Sequence, residues 1–187
     1  ANSELSPERM MNYEATISKS FNSLLSIDLT GYYSEGSNMI QTVQMKNINT
    51  GSFTNKGIEA SAISHPTGKL TLRATYSYLH TSLTNLVAAP KNQIYMSAAW
   101  QPTGRIMLDA SLRSVGSLYV SEQMKSEDYI LCNAKASYTI VAEEDNREIR
   151  KLELFTILDN ITDCDYTINH GYKMPGFNAS AGAKLTF

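Results

Sequence analysis

Three histidines, two cysteines and a scatter of tyrosines and methionines are the side chains here best suited to chemistry. His65, His80 and His170 stand far apart, in one turn and two different connecting stretches, without the close spacing that a metal site needs. Cys132 and Cys164 form no CxxC pair and make no disulfide framework; a bridge between them is open only if strand ends bring them together. No GxSxG nucleophile turn occurs. Glu143, Glu144 and Asp145 read as a solvated turn rather than a calcium loop. No catalytic, cofactor or metal site is expected. Contact is what these residues can offer. Tyr119, Tyr166, His170, Tyr172 and Met174 fall in long connections, where rings and a thioether suit a broad apolar or metal-chelate surface. The same side chains could instead pack the connections on one another.

The elements that must carry these residues share one pattern. In FNASAGAKLTF, residues 177–187, Phe177, Ala179, Ala181, Ala183, Leu185 and Phe187 fall on one parity, against Asn178, Ser180, Gly182, Lys184 and Thr186. Leu25, Ile27, Leu29 and Tyr33 oppose Asp28, Thr30 and Tyr32. Leu70, Leu72, Ala74, Tyr76 and Tyr78 oppose Thr71, Arg73, Thr75 and Ser77. Period-two alternation is the mark of antiparallel strands with one dry and one wet face. Nine such strands of about 9 to 14 residues are expected, longer than the ~5–6 of ordinary globular strands and suited to crossing a bilayer.

The connections alternate as well. Short links are expected at 21–23, 65–69 (HPTGK), 101–105 (QPTGR) and 142–147, and long ones at 36–52, 82–91, 116–128 and 165–176. Short turns on one side and long loops on the other fit an outer-membrane barrel, whose long loops are extracellular. Phe21, Tyr33, Trp100, Tyr138 and Phe187 lie near strand ends on the apolar parity, as an aromatic girdle would. Asp28, Glu59, Arg73, Asp109, Arg113, Lys135 and Lys184 lie on the other parity, facing a hydrated lumen. Asn49, Asn55 and Asn160 are expected to shape turns, since Asn side chains bond their local backbone.

Sixteen Lys plus Arg against 18 Asp plus Glu give a formal charge of −2, and without a basic block no nucleic-acid partner is expected. No run of 18 apolar residues exists to form a transmembrane helix. The opening ANSELSPERMM lacks a basic segment followed by an apolar one, so the start of the precursor is expected elsewhere. Nine strands cannot close a bacterial single-chain barrel, which has an even number. The chain is therefore expected to be part of a larger ring.

Five segments carry a resemblance that spans nearly the whole chain. NSELSPERMMNYE at 2–14, NINTGSFTNKGIEAS at 47–61, YSYLHT at 76–81, LDNITDCDY at 158–166 and GYKMPGFNASAGAKLTF at 171–187 follow, in order, the pattern of TonB-dependent outer-membrane receptors. The end of the chain is most similar to the vitamin B12 and catecholate-siderophore branch, although Phe177 stands where Arg is usual and Lys173 where Pro is usual. The resemblance implies an all-β, antiparallel transmembrane β-barrel, with residues 1–187 as the C-terminal portion of a 22-stranded plugged barrel. It implies the bacterial outer membrane, energised uptake of a siderophore, haem or corrinoid, TonB engaged through the absent plug, and membrane lipid around the wall. It also implies that Phe187 is read by the barrel-assembly machinery. A passive porin-like channel, a soluble β-sheet binding domain and an adhesion module are the alternatives.

Overall fold

The computed structural model describes residues 3–43, 45–126, 128–141 and 151–187. The turn expected at 142–147, with Glu143, Glu144 and Asp145, lies outside the described residues. The strands are β1 (Arg9–Phe21), β2 (Leu25–Ser37), β3 (Ile40–Val43), β4 (Lys46–Asn49), β5 (Ser52–Thr67), β6 (Leu70–Thr81), β7 (Asn92–Thr103) and β8 (Ile106–Gly116). They continue as β9 (Tyr119–Ser121), β10 (Met124–Lys125), β11 (Tyr129–Val141), β12 (Lys151–Asp159), β13 (Thr167–Asn169), β14 (Tyr172–Lys173) and β15 (Asn178–Thr186). Nine of them form one antiparallel sheet in the order β1-β2-β5-β6-β7-β8-β11-β12-β15, each beside its successor along the wall. The other six pair off as three small ribbons, β3–β4, β9–β10 and β13–β14.

All three ribbons sit in connections at the same end of the sheet. The opposite end has tight turns, two of them alike in sequence and chemistry. Thr67 Oγ1 accepts the Lys69 N–H at 3.2 Å, and Thr103 Oγ1 accepts the Arg105 and Ile106 N–H groups at 3.3 and 3.2 Å. These turns are shorter than the sequence implies. His65, Pro66 and Thr67 belong to β5, and Gln101, Pro102 and Thr103 to β7. The register shifts between Ser64 and Thr67 and between Trp100 and Thr103. A bulge tolerates a proline that has no N–H to give the ladder, so Pro66 and Pro102 do not end their strands.

The cross-strand register sorts the side chains onto two faces. Ile17, Leu29, Ala60, Tyr76 and Ile94 form one continuous row across five strands. Leu70, Trp100, Leu108, Ala136, Thr156 and Ala181 form another. No second layer covers this face: Ile17 is 73% exposed and Trp100 48%. Among the described residues the buried apolar side chains are Val115, Leu118, Val120 and Tyr129, all at the ribbon end. A sheet this long, with its large apolar side chains open on one face and its core confined to the loops, is not half of a water-soluble sandwich. Hydrocarbon is the medium that satisfies it. Tyr13 and Phe21 bound the band on β1, about 26 Å apart at ~3.3 Å per residue and roughly 20 Å apart in depth at the usual strand tilt.

The opposite face carries Asp28, Glu59, Arg73, Asp109, Arg113 and Lys135 in its rows, with Asp109 directly across from Lys135. Three rings on this face lie against glycines of the neighbouring strand. Phe53 faces Gly36, Tyr32 faces Gly57 and Phe155 faces Gly182, each pair in direct register. A Cβ on any of these glycines would lie 2.2–2.5 Å from an atom of the facing ring's side chain. Phe155 and the neighbouring Ile157 give this face an apolar patch, and the Lys135 ammonium lies 5.6 Å from the Phe155 ring centre.

Candidate functional site

The connection from β12 to β15 is built around Asn160, which is 5% exposed and holds a left-handed backbone conformation, φ 49°. Its N–H donates to Asn133 Oδ1 at 2.9 Å. Its carboxamide donates to the Cys164 and Pro175 carbonyls at 2.9 and 3.3 Å and accepts the Cys164 N–H at 2.9 Å. Asp163, at φ 48°, receives the Phe177 N–H on Oδ1 at 2.8 Å. Asn160 therefore shapes a turn, as its residue type predicts, and the two motif segments at 158–166 and 171–187 are halves of one clamp. Asn49 does comparable work at β4. It exchanges two 2.9 Å hydrogen bonds with the backbone of Ser6 and donates to the Asn38 carbonyl at 2.7 Å. Asn55 does not: it lies inside β5, on the face of Gly57 and Glu59, with its Oδ1 buried and unpartnered.

From this clamp the β13–β14 ribbon reaches over to β9–β10. The His170 N–H donates to the Val120 carbonyl at 2.9 Å, joining the ribbons. Beneath them Val115, Leu118, Val120 and Tyr129 form a small core that Leu131, Cys164 and Tyr166 pack against. The Tyr129 and Tyr166 rings are 4.8 Å apart between centres and inclined by 37°. The 82–91 connection joins the same assembly, because the Ala88 N–H donates to the Tyr119 carbonyl at 3.0 Å and Val87 pairs with Tyr119. Three loops are thus one crown, held by buried apolar contact and backbone hydrogen bonds rather than by surface charge.

Between the two ribbons lies an open cleft of about 520 Å³. Of the five residues expected to meet a ligand, Tyr166, His170 and Tyr172 line it. Tyr166 is half-buried and anchored on Tyr129, whereas His170 and Tyr172 are exposed. Tyr119 and Met174 do not line the cleft. Tyr119 is committed to the 82–91 connection, and half-buried Met174 gives its N–H to the Tyr166 carbonyl at 3.1 Å. Met124, Lys125, Ser126 and Lys173 line it without having been singled out in the sequence. Lys173 pairs with Asp165 at 2.8 Å. The hydrogen bond to that carboxylate, and then its charge, hold the Lys173 ammonium above its ordinary pKa.

The remaining residues of chemical interest are dispersed. His65 and His80 are strand residues, of β5 and β6, rather than members of a turn and a loop. His65 Nδ1 lies 3.1 Å from Thr71 Oγ1. Cys132 and Cys164 are both free thiols. Among the described residues no group of three His, Cys, Asp or Glu is placed to hold a metal. Trp100 stands on the apolar face near the tight turn of β7 and β8, and Phe187 follows β15, 74% exposed.

A single wall of long antiparallel strands, dry on one face and polar on the other, with tight turns at one end and a crown of loops at the other, defines an outer-membrane β-barrel fragment. The chain belongs to the TonB dependent receptor-like, beta-barrel family, whose model matches residues 1–161. It is a member of a receptor family, not of an enzyme family. Solved structures share its fold. The ferric-catecholate import receptor Fiu of E. coli K12, in its closed form, is 17% identical with a TM-score of 0.74, the match covering 100% of this chain and 29% of that one. FpvA of P. aeruginosa, bound to a heterologous pyoverdine, is 17% identical with a TM-score of 0.76, covering 96% and 27%. The copper transporter OprC is 16% identical with a TM-score of 0.76, covering 99% and 32%. This chain thus spans less than a third of the length of each of these structures. No curated protein matches it.

Proposed function

We propose that this chain is part of the wall and external crown of a receptor that captures a scarce, bulky ligand for energised uptake across the outer membrane. The observation that carries this reading is the cleft between β9–β10 and β13–β14, an open, ring-bearing recess on a packed base at the loop end of the wall. Exposed Tyr172 and His170 and the Lys125 ammonium supply stacking and charge to a ligand that is flat, anionic or both. Similar structures are named for ferric catecholates, pyoverdine and copper, which supports a metal or metal-chelate cargo. An iron–siderophore complex, haem or a corrinoid would each fit that description. Movement through the barrel would depend on TonB acting on a plug formed outside residues 1–187, and insertion on the barrel-assembly machinery reading Phe187.

The test is binding by the complete receptor in lipid nanodiscs, with ferric catecholate, ferric hydroxamate, haem and cobalamin as probes. One probe is expected to bind, and Tyr172→Ala with Lys125→Ala to weaken it about tenfold, or ~1.4 kcal/mol. Binding of none of the four, or equal binding by the variant, would count against the cleft as a capture site.

A further inference from the structure

We propose that the cleft between β9–β10 and β13–β14 coordinates ferric iron directly, through the phenolic oxygens of Tyr166 and Tyr172, the His170 imidazole and the Asp165 carboxylate. The inference rests on the reading of this cleft as the capture site and names the chemistry of its cargo. All four side chains line the cleft, and all four come from residues 165–172, a stretch folded back on itself. The Met174 N–H donates to the Tyr166 carbonyl at 3.1 Å, Thr167 pairs with Lys173 and Asn169 with Tyr172. Gly171 turns the ribbon at φ 85°, so that His170 and Tyr172 flank its tip. The Tyr166 ring is anchored on buried Tyr129, 4.8 Å between centres. His170 is fixed by its backbone, the N–H donating to the Val120 carbonyl at 2.9 Å. Asp165 pairs with Lys173 at 2.8 Å, but both groups are well exposed. Such a pair contributes little, so the carboxylate can exchange this partner for a metal at small cost.

Donor type selects the metal. Ferric iron is small, triply charged and hard, and takes anionic oxygen and imidazole nitrogen in preference to sulfur. Two phenolates and one carboxylate match its charge, the phenolic protons passing to water as the metal binds. Met124 brings the sulfur among the lining residues, a thioether, and Cys164 lies outside the lining. A soft ion such as copper(I) would find one weak donor there. The other charged groups of the lining, Lys125 and Lys173, suit a small anion that completes the metal's shell. With phenols as two of its donors, the site agrees with the finding that no group of three His, Cys, Asp or Glu is placed to hold a metal among the described residues. A flat chelate stacked on these rings needs their faces and not their hydroxyls, so the two modes of capture make different demands on the same residues.

Titration of the complete receptor in lipid nanodiscs with ferric nitrilotriacetate tests this. The wild type is expected to develop a tyrosinate-to-iron charge-transfer band in the visible. Tyr166→Phe with Tyr172→Phe, which keeps both rings and removes both hydroxyls, should lose the band and bind ferric iron about tenfold more weakly. Gallium(III), alike in charge and size, should compete for the site, and zinc should not. An unchanged band in the double variant, or displacement by zinc as readily as by gallium, would overturn the proposal. So would absence of the band from a receptor that still binds an intact ferric chelate, haem or cobalamin, a result that leaves the capture reading standing. If neither the metal nor any of those ligands bound, both would fall. Phenylalanine preserves the packing of Tyr166 on Tyr129, and unchanged heat-modifiable migration on gels would show that the variants still fold.

Discussion

The carboxylate of Asp163 and the backbone of Phe177, fourteen positions apart, meet at 2.8 Å. This bond ties the loop that leaves β12 to the first residue before β15, and Gly176 makes room for it. A Cβ at Gly176 would stand 2.5 Å from Asp163 Oδ1. Asp163→Ala removes the acceptor of this exposed bond, at a cost of about 0.5–1.5 kcal/mol. The expected readout is faster hydrogen exchange at Phe177 and its neighbours, with the distant β5–β6 pairing unchanged. Gly176→Ala should reproduce the effect through crowding. Unaltered exchange in both variants would mean that the clamp carries no load.

The assignment of the two faces is open to a paired substitution. Ala110 and Ser111 are adjacent in β8 and point to opposite sides of the wall, Ala110 in register with Ala98 and Ala134. Arginine at 110 faces mid-bilayer, where such a charge costs about 2–4 kcal/mol. Arginine at 111 faces the hydrated interior and should cost little. Urea unfolding of the complete receptor in lipid vesicles should separate Ala110→Arg from Ser111→Arg by that margin.

Glycines 31 and 57 offer a second contrast on the same wall. A Cβ on Gly57 would stand 2.0 Å from the Tyr78 carbonyl oxygen and 2.5 Å from the Tyr32 hydroxyl oxygen. Gly57→Ala must therefore shift a strand or a ring, and about 1–3 kcal/mol of destabilisation is expected. Gly31→Ala meets nothing and should be neutral, or stabilising by up to ~1 kcal/mol through the unfolded chain. The same vesicle assay reads both.

Lys173 gives a pH-dependent prediction. Its pKa is raised by the hydrogen bond to Asp165 and then by that group's charge, Asp163 adding to the effect while desolvation opposes it. Since the folded-state value lies above the ordinary 10.5, the pair's contribution is complete below that pH. It is lost as pH climbs through the raised value. Both partners are well exposed, so global stability should hardly respond. Titration of ¹³C-dimethylated Lys173 by NMR should show a midpoint that falls when Asp165→Asn is introduced.

Much of this architecture was legible because strict alternation over nine or more residues leaves a strand little choice of face. Leu29 and Tyr76 could each be assigned to the dry side of its strand before their pairing was known, and the long connections fell where the ribbons lie. The boundaries at Pro66 and Pro102 were misplaced because a proline reads as a breaker, whereas a bulge absorbs its missing N–H. Residue type alone points Asn55 to a turn, whereas the long β5 ladder holds it in a strand. The cleft was legible by half. Tyr166, His170 and Tyr172 are conspicuous in a loop, but Met124 and Lys125 join them only through the His170–Val120 bond, a contact between remote segments that no local pattern encodes. The same distance hid the small core, for Val115 and Tyr129 look like ordinary strand ends.

The rings laid over Gly36, Gly57 and Gly182 bear on how wide the interior can be. A phenylalanine or tyrosine standing upright from the wall would narrow the bore from that side by most of its own length. Folded sideways into the vacancy beside a glycine, each takes up little clearance. Replacing any of those three glycines would push a ring toward the barrel axis, so these small residues help set the gauge of whatever must lodge in, or travel through, the completed tube.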